Sequence, residues 1–224
     1  MNHRGAAILT IAGLVLAGAA CGHPQQGVVD NYFRAVNAGD NQTLSSFALV
    51  GFDQKVDNWK IVTGHPETES PAMLVELAQK VSDADAALAA NKKEYNAYFL
   101  DHPSEVDQVR ELLRTEARIP AKLEKYAQDW QAFIEKEKDL KRALAEAKEA
   151  LAREKKNASL SVEPDDGIEK LVGTVHSQDI DLMLTIDGQQ KPYTMTLRKY
   201  DLSETEGGPE RLSRWVIFDL KPTA

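Results

Sequence analysis

The sequence predicts an α+β protein: a small antiparallel sheet with N-terminal helices, into which a long antiparallel helical hairpin is inserted. No glycine occurs between Gly64 and Gly167, and this span is rich in alanine and in charges of both signs, which is typical of long helices. An amphipathic helical pattern precedes the span, and alternating apolar residues follow it. The predicted organisation is a split α+β domain over 28–69 and 157–224, with a coiled-coil-like helical insertion over 70–156.

The first 20 residues have the pattern of a signal peptide. Arg4 supplies a basic start, and residues 6–20 form an uncharged stretch shorter than the roughly twenty residues that a membrane-spanning helix needs. Three small residues then precede Cys21, the single cysteine of the chain. This arrangement resembles the lipobox of bacterial lipoproteins, although Gly18 stands where that motif usually has leucine.

The lipobox resemblance implies cleavage before Cys21, a diacylglycerol on its thiol, and a fatty acid such as palmitate on the new amine. Residues 21–27 would then be a lipidated tether, and the protein would face the periplasm or the exterior from a membrane of the bacterial cell envelope. The alternative is a plain secretory signal cut after Ala20. Lipidation accounts better for a solitary cysteine, because an unpaired thiol is a liability outside the cytoplasm.

The charge balance argues against two classes of partner. The chain has 27 basic and 35 acidic side chains, a net charge of −8 that becomes −9 when Arg4 leaves with the signal. Nucleic acid and anionic lipid headgroups bind basic surfaces, so neither is expected to bind here. No metal-ligand spacing and no cofactor motif occurs in the sequence, so no metal or cofactor is predicted.

The stretch 28–47 predicts two helices of the split domain. Its apolar residues recur at i, i+3 and i+4, which places them on one helical face. Gly39 suits the position after the first helix, and Asp40 or Asn41 suits the cap of the second. The apolar face comprises Val28, Val29, Tyr32, Phe33 and Val36.

The insertion shows heptad spacing in two runs of apolar residues. The first run starts after Ser70 and Pro71, which suit the cap and first position of a helix, and it ends before Pro103. The second run extends to Leu151 and contains Pro120, which either kinks one long helix, the favoured alternative, or starts a third. Arms of about 28 and about 52 residues, roughly 42 and 78 Å, would make the second outrun the first.

The seam of this insertion is the predicted protein-binding surface. In one alternative the two arms bury each other, and in the other the seam leaves aromatic residues exposed for a partner. Only Asn91 is polar in the first run, and Leu140 and Leu144 are expected near or beyond the end of the shared seam. The partner-binding candidates are Tyr126, Trp130, Phe133, Leu140 and Leu144.

After the insertion, period-two alternation predicts a β-hairpin with strands over 180–186 and 193–197, and a last strand over 214–220. An earlier strand is predicted over 55–64. With the two N-terminal helices, these parts resemble the cystatin-like cone of the nuclear transport factor 2-like superfamily over residues 28–63 and 168–221. The residues that match the family pattern at the start are Tyr32, Ala35, Gly39, Asp40, Leu44 and Phe47.

Enzymes of that family carry acid and base groups inside the cone. No nucleophile elbow or phosphate loop accompanies such groups here, so no enzyme is predicted. The expected function is protein interaction or scaffolding through the helical hairpin. A carrier of small molecules or lipids in the cone cavity is the alternative, and an enzyme of the same fold is a third hypothesis. Its candidate residues are His176, Asp179, Asp181, Tyr193 and Tyr200.

Overall fold

The computed structural model describes residues 23–162 and 167–223, so the predicted signal peptide and Cys21 lie outside the described residues. The described residues form five α-helices and a five-stranded antiparallel sheet, which confirms the α+β class. The helices are α1 (Gln26–Ala38), α2 (Asn41–Phe47), α3 (Leu74–Asp101), α4 (Pro103–Arg114) and α5 (Glu124–Ser161). The strands are β1 (Asn58–Gly64), β2 (Thr68–Pro71), β3 (Val172–Ile186), β4 (Gln189–Ser203) and β5 (Val216–Pro222).

The sheet is built around the long hairpin of β3 and β4. Its order is β1-β3-β4-β5, and β2 pairs with β3 beyond the end of β1. A two-residue turn joins β3 to β4, with φ of 52° at Asp187 and 72° at Gly188. Positive φ at both positions is what the tightest hairpin turns require, and Asp-Gly is a preferred pair there. Both strands are therefore longer, and their turn shorter, than the sequence pattern predicted.

The first hydrophobic core lies between α1, α2 and one face of the sheet. Tyr32 and Phe33 of α1 are fully buried in it, as the helical spacing predicted. Gly39 ends α1 with φ of 65°, and the Asp40 carboxylate accepts a hydrogen bond of 3.0 Å from the backbone N–H of Thr43 at the start of α2. These two predicted ends are confirmed, and they satisfy backbone groups where α1 ends and α2 begins. The strand residues in this core include Ile180, Leu182, Leu184, Ile186, Met195 and Leu197.

A second core lies on the opposite face, at the other end of the β3–β4 hairpin. Val175 pairs with Tyr200 and is an odd number of residues from Ile180, so its side chain points away from the first core. There it packs with Leu74 of α3 and Ala158 of α5. The bases of these two helices are therefore attached to the sheet. We call residues 74–161 the helical arm.

The start of the arm differs from the prediction. Ser70 and Pro71 do not cap a helix, because they belong to β2 and pair with Val175 and Thr174 of β3. Met73 precedes the first residue of α3, which is Leu74. Pairing with an existing strand edge satisfies the backbone groups of 68–71, and this long-range gain outweighs the local capping signal.

The second heptad run does not form one long kinked helix, and the favoured alternative is wrong. Helix α4 ends at Arg114, and α5 begins at Glu124 after a single 3₁₀ turn over Ala121–Leu123. Pro120 is extended, with φ of −65° and ψ of 146°. Helix α4 has already ended before Glu116, whose φ of 54° is left-handed, and Pro120 then prevents a helix from resuming just before it, so the run is divided in two.

Helices α3 and α5 run antiparallel, and α4 folds back onto α5. Tyr98 stacks on Phe133 near the tip, whereas Leu74 and Ala158 meet at the base. With 28 and 38 residues, the two helices are closer in length than predicted. Residues Leu140 and Leu144 fall between these two contacts and therefore lie alongside α3, which corrects their predicted place near or beyond the end of the shared seam.

Among the described residues, no helix combines the length and the apolar character needed to cross a bilayer.

Candidate partner-binding site on the helical arm

An aromatic cluster joins α3 to α5 near the tip of the arm. The ring centroid of Tyr95 lies 5.3 Å from that of Trp130 and 5.9 Å from that of Phe133. Tyr98 adds a contact of 5.4 Å with Phe133. In both helices the two aromatic residues are three positions apart, which places them on one face. Such edge-to-face ring pairs add about 0.5–1.5 kcal/mol each beyond the area they bury.

Helix α4 covers another part of this cluster. The guanidinium carbon of Arg110 lies 5.5 Å from the centroid of the Trp130 ring, within the range of a cation–π contact. The ring of Tyr126 lies 5.2 Å from that of His102, between α3 and α4. The three predicted aromatic residues are thus brought together and are half-buried, neither enclosed by the arm nor standing free of it.

Polar contacts fix the orientation of the cluster. The Tyr98 hydroxyl donates a hydrogen bond of 3.0 Å to Oδ2 of Asp129, and Lys125 Nζ lies 3.0 Å from the same oxygen. Burial and the neighbouring carboxylate raise the pKa of Tyr98 to about 12. The hydrogen bonds from Lys125 and Tyr98 lower the pKa of Asp129. At neutral pH the phenol therefore keeps its proton and the carboxylate its charge, so the bond between α3 and α5 persists.

A cleft opens beside these rings. Its volume is about 220 Å³, and its walls include Tyr95, Trp130 and Phe133. Ile134, 43% exposed, forms part of the same lining. The remaining lining residues are Asn91, Lys92 and Glu137. The cleft is therefore largely apolar, with one exposed aliphatic side chain and a few polar groups, which is the composition of a binding pocket.

Asn91 is the unusual member of this lining. It is 2% exposed, and its Oδ1 has no hydrogen-bond partner among the residues that the structure describes. A buried acceptor without a donor costs about 1–3 kcal/mol, so a donor from water or from a partner would stabilise it. Asn91 could be noticed in the sequence because it interrupts an apolar heptad seam, but neither Asn91 nor Ile134 was identified there as a site residue.

The two leucine candidates do not line the cleft. Leu144 is 9% exposed and lies inside the arm, and Leu140 is half-buried nearer to the cleft. Both belong to α5, closer to the sheet than Phe133. They are therefore placed to stabilise the arm, and their proposed contact with a partner stays a prediction.

The residues considered for an enzyme are spread over several sites. Tyr193 is buried in the first core, and Tyr200 in the second. Asp179 and Asp181 lie on the sheet face opposite the first core, where Thr196 and Thr194 donate hydrogen bonds to them. His176, an even number of residues from Ile180, lies on the other face. The structure therefore does not bring these five side chains together.

Comparison of the chain with family models, with curated proteins and with solved structures finds no match.

Proposed function

We propose that this protein is a lipid-anchored protein of the bacterial cell envelope that binds a protein partner through the cleft of its helical arm. In this proposal the arm is a helical hairpin inserted into a cystatin-like cone, and Cys21 carries the lipid. The observation that carries the proposal is the cleft itself, where exposed Ile134 and the buried, unsatisfied Asn91 adjoin one aromatic wall.

The size of the cleft favours a protein partner over a small ligand. Its volume of about 220 Å³ is below the roughly 300–1,000 Å³ of pockets that enclose small molecules. One anchoring side chain of a partner protein fits such a volume. Anchors of this kind are aromatic or aliphatic and carry much of the binding energy of an interface. A partner N–H or O–H that reaches Asn91 would also satisfy its free oxygen.

The interior of the split domain supports the same choice. Tyr32, Phe33 and Leu184 are each 0% exposed, and the Phe33 ring packs 5.3 Å from Trp59. A second contact joins Phe52 to Tyr193 at 5.5 Å. In the part of the chain that the structure describes, these side chains pack between α1 and the sheet, where a carrier would hold its cargo. Protein binding on the arm is the better-supported function.

The arm places the cleft away from the sheet. Twenty-one residues of helix separate Leu74 from Tyr95, a rise of roughly 32 Å at 1.5 Å per residue. Cys21 is only five residues before α1, so a lipid there would hold the split domain next to the bilayer. An arm attached to that domain would then present the cleft to partners at a distance from the anchor.

Site-specific photo-cross-linking in native membranes tests the proposal. A photoreactive amino acid at position 92, which lines the cleft, is expected to give one discrete protein adduct. Ile134→Asp places a charge in the apolar wall, so the adduct should fall at least 10-fold. Val75→Asp is the matched control, because Val75 is 42% exposed on α3 but lies at the base of the arm.

Neither substitution is expected to change stability by more than about 0.5 kcal/mol, since both side chains are exposed. In the same membranes, Cys21→Ser should lose fatty-acid labelling and move the protein to the soluble fraction. An adduct that persists with Ile134→Asp, or that Val75→Asp removes equally, would refute the cleft as the binding site. Unchanged labelling of Cys21→Ser would refute the anchor.

A further inference from the structure

Three carboxylates surround one histidine on the sheet, far from the arm cleft. Oε1 of Glu67 lies 2.5 Å from Nδ1 of His176, and Oε1 of Glu69 lies 3.7 Å from the same nitrogen. On the other side of the ring, Oδ2 of Asp201 lies 3.1 Å from Nε2. The His176 side chain is 15% exposed, so these acidic groups make up much of its surroundings.

The fold brings these residues together through strand pairing. Glu69 of β2 is directly opposite His176 of β3, and Lys199 of β4 is opposite His176 on the other side. Asp201 is two residues beyond Lys199 and therefore on the same face. This face of the sheet is the one that holds the first core, but the cluster lies at the far end of β3 from that core.

The Asp201 carboxylate is itself fixed in place. Ser213 Oγ donates a hydrogen bond of 2.5 Å to Oδ1, and Lys199 Nζ lies 2.9 Å from Oδ2. Oδ2 of Asp201 faces Nε2 of His176 and can accept its N–H. Without an ion, Nδ1 donates its proton to Glu67; when an ion takes the place of that proton, the Nδ1 lone pair faces the ion.

This arrangement has the composition of a metal site: three donor atoms face one another, and a fourth side chain orients the histidine. In many such sites a carboxylate accepts the N–H of a ligand histidine and so orients the nitrogen that binds the ion. Here the three facing donor atoms, from Glu67, Glu69 and His176, lie within 4.8 Å of one another. Small side-chain rotations would bring them to the roughly 2.0–2.2 Å at which nitrogen and oxygen bind zinc.

We propose that Glu67, Glu69 and Nδ1 of His176 bind a divalent ion of the zinc class, with Asp201 as the positioning residue. One imidazole and two carboxylates suit zinc, nickel or cobalt, whereas magnesium and calcium prefer oxygen ligands alone. The Glu67 side chain is 40% exposed and that of Glu69 is 70% exposed, so solvent reaches the site. Water completes the coordination of the ion.

The competing arrangement is metal-free: N–H groups of the His176 ring join β2 to β4 through hydrogen bonds to the carboxylates. The metal site and the metal-free arrangement predict different results in a metal titration. In the metal site, zinc replaces the proton and binds with one ion per chain. In the metal-free arrangement, the same titration gives no saturation above the level of scattered surface carboxylates.

Zinc titration by calorimetry of the full chain, after treatment with chelator, tests the proposal. We expect one saturable site, at least 10-fold weaker binding for Glu67→Gln and for Glu69→Gln, and no saturable binding for His176→Ala. Asp201→Asn keeps all three ligands but cannot hold the imidazole in the same way, so a 10- to 100-fold loss is expected. Cobalt absorption should show a visible band in the wild type that His176→Ala removes.

His65→Ala is the matched control. His65 Nε2 lies 2.8 Å from Oδ2 of Asp181, a single carboxylate on the opposite face of the sheet. This variant should bind zinc as the wild type does. The proposal fails if the wild type shows no saturable site, or if His65→Ala loses as much affinity as His176→Ala. If His176→Ala does not fold, Glu69→Gln decides, because its exposed side chain can change without loss of packing, and wild-type affinity in that variant overturns the proposal.

Discussion

At the scale of single residues, Asp30 connects α1 to the edge of the sheet. Its Oδ1 accepts a hydrogen bond of 2.7 Å from Nε1 of Trp59 and one of 2.8 Å from Gln26. The bond from Trp59 is the main cause of the lowered pKa of Asp30; partial burial opposes it, and Gln26 and Arg34 add to the lowering. The same Trp59 ring packs on Phe33, so one carboxylate orients a side chain that the first core requires.

Asp30→Asn tests the contribution of this charge. The amide can still accept the Trp59 hydrogen bond, but without charge assistance, so we expect a loss of about 1 kcal/mol at pH 7. Because the folded pKa lies below the unfolded value of about 3.9, the carboxylate stabilises the fold above that value and loses this effect as the pH falls through the folded pKa. Denaturant unfolding at pH 7 and below pH 3 measures both.

The matched control for this substitution is Asp85→Asn, an exposed carboxyl group on α3. It should change stability by less than about 0.5 kcal/mol at either pH. An Asp30→Asn loss that is the same at low pH as at pH 7 would contradict the assignment, because the effect would then arise from something other than the ionised carboxylate.

At the scale of elements, those with local signals could be predicted. Helices α1 and α2 carry their own apolar spacing and their own ends, at Gly39 and Asp40, and the structure has both ends where the sequence put them. β2 could not be predicted, since the polar stretch 68–71 becomes a strand only by pairing with 174–177, about a hundred residues later. Pro120 signalled an interruption of the helix. Whether it would be a kink or a complete break depended on whether α4 could pack on α5.

The candidate sites, like the elements, could be predicted only where the signal lies within a short stretch of sequence. Tyr126, Trp130 and Phe133 stood out because they share a heptad seam within one run of sequence. The cleft itself could not be predicted, because it depends on the register between α3 and α5, which no local spacing determines. The residues of the histidine cluster are even farther apart in the sequence. Glu67 and His176 are separated by 109 residues, and only the pairing of β2 with β3 makes them neighbours.

Two leucines of α5 test how the arm is packed. Leu144 is 9% exposed, so Leu144→Asp should cost roughly 2–5 kcal/mol by removing a buried side chain and burying a charge. Leu140 is half-buried, and Leu140→Asp can turn its charge to solvent, so about 1 kcal/mol or less is expected. Thermal melts of the two variants measure the difference. Equal and small costs would mean that α5 does not pack along α3 at Leu144.

At the scale of the whole molecule, the arm and the sheet share the second core. Leu74 and Ala158 lie at the base of the arm, near its first and last residues. They pack with Val175 and Tyr200 of the sheet. Close by, Ser161 Oγ accepts a hydrogen bond of 2.9 Å from the backbone N–H of Tyr200. The base of the arm therefore packs with the sheet, whereas the cleft near the tip is lined by residues of the arm alone.

Two deletions test this division. Removal of 78–152, with a short Gly/Ser linker in its place, keeps Leu74, Ala158 and both cores of the split domain. This variant should keep a cooperative melt, whereas most of the helical circular dichroism and all cross-linking through the cleft should be lost.

Removal of 70–156 also takes Leu74 and half of β2. The free energy of unfolding of this second variant should therefore be lower than that of the first by at least the roughly 2–5 kcal/mol of one buried leucine. If the shorter deletion only aggregates, the split domain needs the length of the arm to fold. If the two variants are equally stable, Leu74 does not join the arm to the sheet.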